Sequence, residues 1–214
     1  MGRFFTDFHK LKTVDDVEVV DIYSDRDCAT GDELLEAYGE SNNVFLAQWF
    51  GFAPNPNPSD FISLKWLFKP GRGSHTEEKL AMLNLFRGEI QTTFKIRKID
   101  RFADSVISYL KITTLPPVKM SSCSKSKDKE ALLKCISDHN GPEIYDELIT
   151  VLREKLQRYR TTLAADQKQI EHARGLPSSN RLMIEVRIHH KMIAKHALEL
   201  AKTLKKRAEG KLEL

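Results

Sequence analysis

From Ser178 to Gly210 the sequence runs for about thirty residues without a proline or an internal glycine. Leu182, Val186, Ile193, Leu200 and Leu204 recur along it at the spacing of one helix face. A stripe of that length cannot be buried by the helix that carries it, so the chain must lay other elements along it. The sequence offers candidates just upstream. Tyr145, Leu148, Ile149, Leu152, Leu156 and Tyr159 follow the i, i+3, i+4, i+7 rule and predict a second helix. "TTLAADQKQIEHARG" predicts a third, with Thr161 or Thr162 as N-cap, Asp166 early in the helix and Gly175 as its stop.

The first third has a different grammar. Residues 14 to 23, "VDDVEVVDIY", are rich in β-branched residues and read as strand. "ATGD" makes a turn, and "VFLAQWFGF" has apolar residues on several sides, which predicts a short buried helix capped by Asn42 and ended by Gly51. "APNPNPSD" is loop by its proline and asparagine content, and "FISLKWLF" reads as strand. A helix start follows at Thr76, with Glu77 and Glu78 in the first turn, then a possible strand in "EIQTTFKI". Phe102, Val106, Tyr109 and Leu110 lie at helical spacing, whereas "TTLPPVKMSSCSKSKDK" shows no periodicity and reads as an exposed loop. The expected fold class is α+β: a partial β-rich core in residues 1–70, followed by a mostly helical domain in residues 71–214.

Charge and cysteine content narrow the function classes. With 34 basic and 30 acidic residues the net charge of +4 is mild, and no clustered basic face argues for nucleic acid. Uncharged apolar runs such as "NNVFLAQWFGFA" fall short of the roughly 20 residues that span a bilayer, and "MGRFFTDFHKLK" lacks the apolar core of a secretory signal. Cys28, Cys123 and Cys135 are odd in number and far apart, so neither a zinc site nor a disulfide framework is expected. A reducing intracellular compartment, cytoplasmic or nuclear with a plastid also open, fits that usage. His189, His190 and His196 lack a carboxylate at zinc spacing and read as part of a solvated basic face, so no metal is expected. No nucleophile elbow supports acyl transfer.

Several motifs carry a resemblance. Gly31-Asp32-Glu33, Tyr38-Gly39 and Phe50-Gly51-Phe52 stand in the order in which SET domains, the fold of many protein-lysine methyltransferases, come to their end. "ESNNVFLAQWFGFAPNPNP", with Ser-Asn before the helix and an Asn-Pro-rich loop after it, resembles the branch of the Rubisco large-subunit methyltransferase. Far downstream, Tyr159, Thr161, Thr162, Leu163 and Asp166, ahead of a long helix bearing an arginine, resemble the helical substrate-binding domain of that branch. Two departures accompany the likeness. Ahead of Gly31 there is neither a Gly-x-Gly segment nor an Asn-His pair, the motifs that hold the methyl donor in such domains. Phe50 stands where the family pattern has tyrosine.

The resemblance implies a protein-lysine N-methyltransferase using S-adenosylmethionine on a protein substrate, with only the C-terminal part of the SET core in this chain. It implies Tyr38 as the catalytic hydroxyl, also bordering the cofactor, and Phe50, Phe52 and Trp49 as substrate-channel residues. Core packing is the competing reading for all three, and the preferred one for Trp49. The chemistry suits these residue types. Methyl transfer needs a neutral amine, whereas free lysine has a pKa of about 10.4, so a desolvating channel helps to deprotonate it. Aromatic faces can hold the cationic partners, and a fixed hydroxyl aids alignment. Two other functions stay open: a non-catalytic protein-binding module, and a protein-histidine methyltransferase.

Overall fold

The computed structural model describes residues 9–22, 27–32, 38–65, 75–86, 93–98, 101–173 and 178–211. The chain forms two compact units, residues 1–41 and 42–214.

The first unit contains one antiparallel pair, β1 (His9–Val14) and β2 (Val17–Ile22), in register from Val14↔Val17 to His9↔Ile22. Its two-residue turn places Asp15 at φ 51° and Asp16 at φ 59°. Left-handed values at both central positions match the right-handed twist of a hairpin, and aspartate tolerates them better than most residues. The sequence pattern predicts β2 but not β1. A turn at residues 29–32 follows, with Ala29 N–H donating to Asp32 Oδ2 at 2.9 Å and Gly31 at φ 94°. Glu33, the last member of the Gly-Asp-Glu motif, lies outside the described residues.

The second unit is built on its last helix. Its helices are α1 (Asn43–Phe50), α2 (Thr76–Asn84), α3 (Asp104–Thr113), α4 (Pro117–Cys123), α5 (Lys129–Cys135), α6 (Glu143–Gln157), α7 (Leu163–Glu171) and α8 (Ser178–Ala208). Strands β3 (Phe61–Lys65) and β4 (Thr93–Arg97) pair antiparallel, Ile62 opposite Ile96 and Leu64 opposite Phe94. Those four side chains are buried while Ser63 and Lys95 between them face outward, the period-2 pattern of a half-buried strand.

Against that apolar face pack Phe102, Val106, Tyr109 and Leu110 of the α3 region, Ile144, Leu148 and Leu152 of α6, and Ile193, Ala194, Ala197 and Ala201 of α8. The three alanines let α6 approach α8 closely. A second cluster joins Met82, Phe86, Ile112, Met120, Cys123 and Leu132. Two expectations fail there. The supposed exposed loop at 113–129 contains α4, whose Met120 and Cys123 are fully buried. Pro117 opens that helix at a position where the missing N–H costs nothing. Cys123 and Cys135 form a disulfide between α4 and α5, while Cys28 is exposed and outside that bridge. Cysteine usage therefore no longer argues for a reducing compartment. No helix among the described residues is long and apolar enough to cross a membrane.

Candidate functional site

Two regions of the second unit gather chemistry-bearing side chains, and α8 borders both. The first surrounds α1. Asn42 caps it as expected, its Oδ1 accepting from Phe45 N–H at 2.9 Å, and Gly51 ends it in the left-handed conformation at φ 76°. The expected buried helix has an exposed face: Phe45 is 44% exposed, Trp49 68% and Phe50 47%. The core reading for Trp49 is thereby corrected. Ring centroids lie 6.4 Å apart for Phe45–Trp49, 6.0 Å for Phe45–Phe50 and 6.5 Å for Phe50–Phe52, so four aromatics form one continuous strip.

On its other side α1 buries Leu46, Ala47 and one polar side chain. Asn43 is 1% exposed, and its side chain is fully used. Its Nδ2 donates to Pro54 O at 3.2 Å and to His189 Nδ1 at 2.7 Å, while its Oδ1 accepts from Asn57 Nδ2 at 2.7 Å. Its backbone N–H, otherwise an orphan of the first helical turn, donates to buried Asp60 Oδ1 at 2.9 Å. The Asn-Pro-rich loop is thus tied to both α1 and α8. The Asn43 amide nitrogen can only donate, so His189 Nδ1 is the acceptor of this bond. His189 is engaged here and His190 is half-buried, so the solvated basic face expected for this stretch does not form. Burial pushes the His190 imidazole below its usual range, helped by Lys155 and His189 and opposed by Asp60. Its Nε2 is buried and has no partner among the described residues.

Tyr38, of the first unit, is 38% exposed, and its carbonyl accepts from Ser41 Oγ at 2.7 Å. The structure brings Trp49, Phe50 and Phe52 together; Tyr38 is described within its own unit. Phe45, Phe50 and Phe52 have no hydrogen-bonding side chain, and Trp49 offers one donor. That set meets an aliphatic, cationic or flat aromatic group well, but its single donor cannot hold the carboxylate and ribose hydroxyls of S-adenosylmethionine.

The second region lies where the α6–α7 connection meets α8. Thr162 is the N-cap of α7, its Oγ1 accepting from Ala165 N–H at 3.1 Å, while Thr161 Oγ1 donates to Asp166 Oδ1 at 2.6 Å. Asp166 is completely buried and takes two bonds from one guanidinium: Arg187 Nε to Oδ2 at 2.9 Å and Nη2 to Oδ1 at 2.8 Å. Lys191, 2% exposed, donates to Asp166 Oδ2, to Thr161 O at 2.6 Å and to Thr161 Oγ1 at 2.9 Å. Its Nζ also lies 5.1 Å from the centre of the Tyr159 ring. Burial alone would raise the Asp166 carboxyl, but hydrogen bonds from Arg187, Lys191 and Thr161 outweigh it and hold the group well below the usual carboxylate range. Sequence reasoning found Thr161 and Asp166 and missed Lys191. The available signal was the i, i+4 spacing of Arg187 and Lys191, which puts two cations on one face of the long helix.

Above this network opens a cleft of about 440 Å³, lined by Tyr159, Arg160, Thr162, Leu163, Lys191 and Lys195 among others. Among the described residues no group of histidine, cysteine and carboxylate side chains is placed to hold a metal ion.

Comparison with known proteins agrees with this architecture. Residues 73–193 match the family model described as Rubisco LSMT substrate-binding. No curated protein matches the chain. Among solved structures, the fold is similar to one described as the SET domain of LSMT bound to lysine and AdoHcy, with a TM-score of 0.65 and 16% identity. The similarity covers 91% of this chain and 43% of that one, so the chain spans less than half the length of that protein.

Proposed function

The chain belongs to the Rubisco LSMT substrate-binding family, and from that premise we propose that it is part of a protein-lysine N-methyltransferase, which moves a methyl group from S-adenosylmethionine to a protein side chain. Residues 71–214 are assigned to gripping the protein substrate, and residues 1–70 to the C-terminal part of the SET core. The observation that carries this reading is a coincidence of extents. The family match begins at residue 73 and runs into α8, while the likeness to a SET structure extends over 91% of the chain. The start of the match supports a division near residue 70.

In this reading Tyr38 places its hydroxyl beside the reacting amine, where alignment alone contributes several kcal/mol. The strip of Trp49, Phe50 and Phe52 receives the alkyl stem and charge of the incoming side chain. A second reading, a protein-binding module that transfers no methyl group, draws support from the same strip, which can take a protein side chain but has no polar groups for the donor's carboxylate and ribose. Incubating the chain and a protein extract with methyl-labelled S-adenosylmethionine tests the two, with calorimetry of S-adenosylmethionine binding alongside. Label in a protein band that depends on the chain, and that is lost in Tyr38→Phe, supports the enzyme. No label and no calorimetric heat overturns it in favour of the module.

A further inference from the structure

The charges beneath the cleft do not balance. In the buried cluster one carboxylate, Asp166, faces two cations, Arg187 and Lys191, which leaves one positive charge in excess where Lys191 is 2% exposed. A buried charge left uncompensated is costly, and an anion close by relieves it. The cleft adds two more cations, Arg160 and Lys195, both exposed and without an ion-pair partner among the described residues. Among the described residues no aspartate or glutamate lines it.

The lining supplies donors for an anion. All three Lys191 protons are spent on Thr161 and Asp166, so this residue supplies charge from behind. The free donors are the Arg160 guanidinium, whose planar fork matches a carboxylate, and the Lys195 ammonium. The Thr162 hydroxyl, which accepts from Ala165 N–H, keeps its own proton to give. Leu156, Leu163 and the Tyr159 ring supply apolar wall beside these groups. Its 440 Å³ admits a few side chains.

We propose that this cleft binds an acidic segment of a protein, with an aspartate or glutamate carboxylate held between Arg160 and Lys195 and a neighbouring aliphatic side chain against Leu156, Leu163 and Tyr159. The proposal rests on the protein-substrate reading and deepens it by naming the chemistry of the part that is gripped. Charge complementarity selects that occupant over an uncharged peptide.

The test is fluorescence anisotropy of the full chain with an end-blocked, fluorescein-labelled peptide of alternating Glu and Leu, and with its Gln–Leu counterpart. The Glu–Leu peptide is expected to bind at least about tenfold more tightly, and to weaken by a similar factor in the Arg160→Ala/Lys195→Ala double variant. Lys134→Ala/Arg153→Ala, which removes the same charge elsewhere on the surface, leaves binding unchanged, and thermal melts show all variants folded. Equal binding of the two peptides overturns the proposal. So does equal weakening by both double variants, or no binding up to about 1 mM. Tighter binding of a single-stranded oligonucleotide through Arg160 and Lys195 overturns it as well. Each of these failures leaves the function standing if chain-dependent methyl transfer into an extract is observed, so the two can be told apart.

Discussion

Arg187 clasps Asp166 with two parallel hydrogen bonds, Nε to Oδ2 at 2.9 Å and Nη2 to Oδ1 at 2.8 Å, and so joins the middle of α8 to the first turn of α7. The carboxylate is wholly buried and also serves Lys191 and Thr161, so a single anion holds two cations in that cluster. Asp166→Asn keeps the shape and removes the charge. It is expected to cost roughly 3–5 kcal/mol, because it leaves the buried Lys191 ammonium and the partly exposed Arg187 guanidinium without their anion. Denaturant unfolding measures it; a loss within experimental error would mean the cluster contributes nothing to stability.

The same pair sets an acid dependence. The Asp166 carboxyl is held below its ordinary value of 3.8 in the folded chain. The unfolded state therefore takes up the proton first, and this contribution to stability is whole above 3.8 and lost as pH falls through the lower folded value. His190 works in a higher window. Burial lowers its folded value below 6.5, so stability falls as pH drops through 6.5 and the unfolded chain binds the proton more readily. His139 is lowered by the same cause and adds to the effect. The thermal midpoint should fall between about pH 7.5 and about pH 5.5, and His190→Leu should flatten part of that fall. An unchanged slope in the variant would show that His190 is not its source.

The disulfide offers a separate handle. Cys123 and Cys135 are 12 residues apart, and the bridge pins α4 to α5 under the second core cluster. Cys135→Ser should lower stability by roughly 2–3 kcal/mol through the restored freedom of the unfolded loop. Denaturant unfolding of the oxidised wild type against the variant reads the difference directly, and mass spectrometry confirms the bridge.

Trp49 separates packing from function. It is 68% exposed, so Trp49→Ala should change stability by no more than about 0.5 kcal/mol. If the aromatic strip receives the substrate, the same change should lower chain-dependent methylation severalfold. A large loss of stability with normal methylation would return Trp49 to a packing role.

Legibility from sequence followed the range of the interactions. α6 and α8 were readable because their burial repeats every three or four residues, and the N-cap at Asn42 because capping is local. α4 was not readable. It is seven residues long, opens on Pro117, and is held by Met82, Ile112 and a bridge from Cys135, none of which lies within it. An all-round apolar pattern made α1 look buried, whereas its buried side includes Asn43, tied to Asn57, Asp60 and His189 over as many as 146 residues. Lys191 carried no local signal for the same reason: its partners Thr161 and Asp166 lie 30 and 25 residues away, in the connection before α7 and on α7 itself. Tyr38 and the aromatic–glycine pairs were singled out by resemblance alone, since exposed aromatics carry no periodic signal.

The central claim is that this chain takes part in methylating a protein side chain. Peptide-mapping mass spectrometry of a protein extract treated with the chain and S-adenosylmethionine tests it most directly. The account predicts a methyl group on a lysine of a captured protein with the wild-type chain, and none with Tyr38→Phe. A methylated histidine in its place would contradict the lysine assignment, and unmodified proteins with both chains would contradict the enzymatic claim altogether.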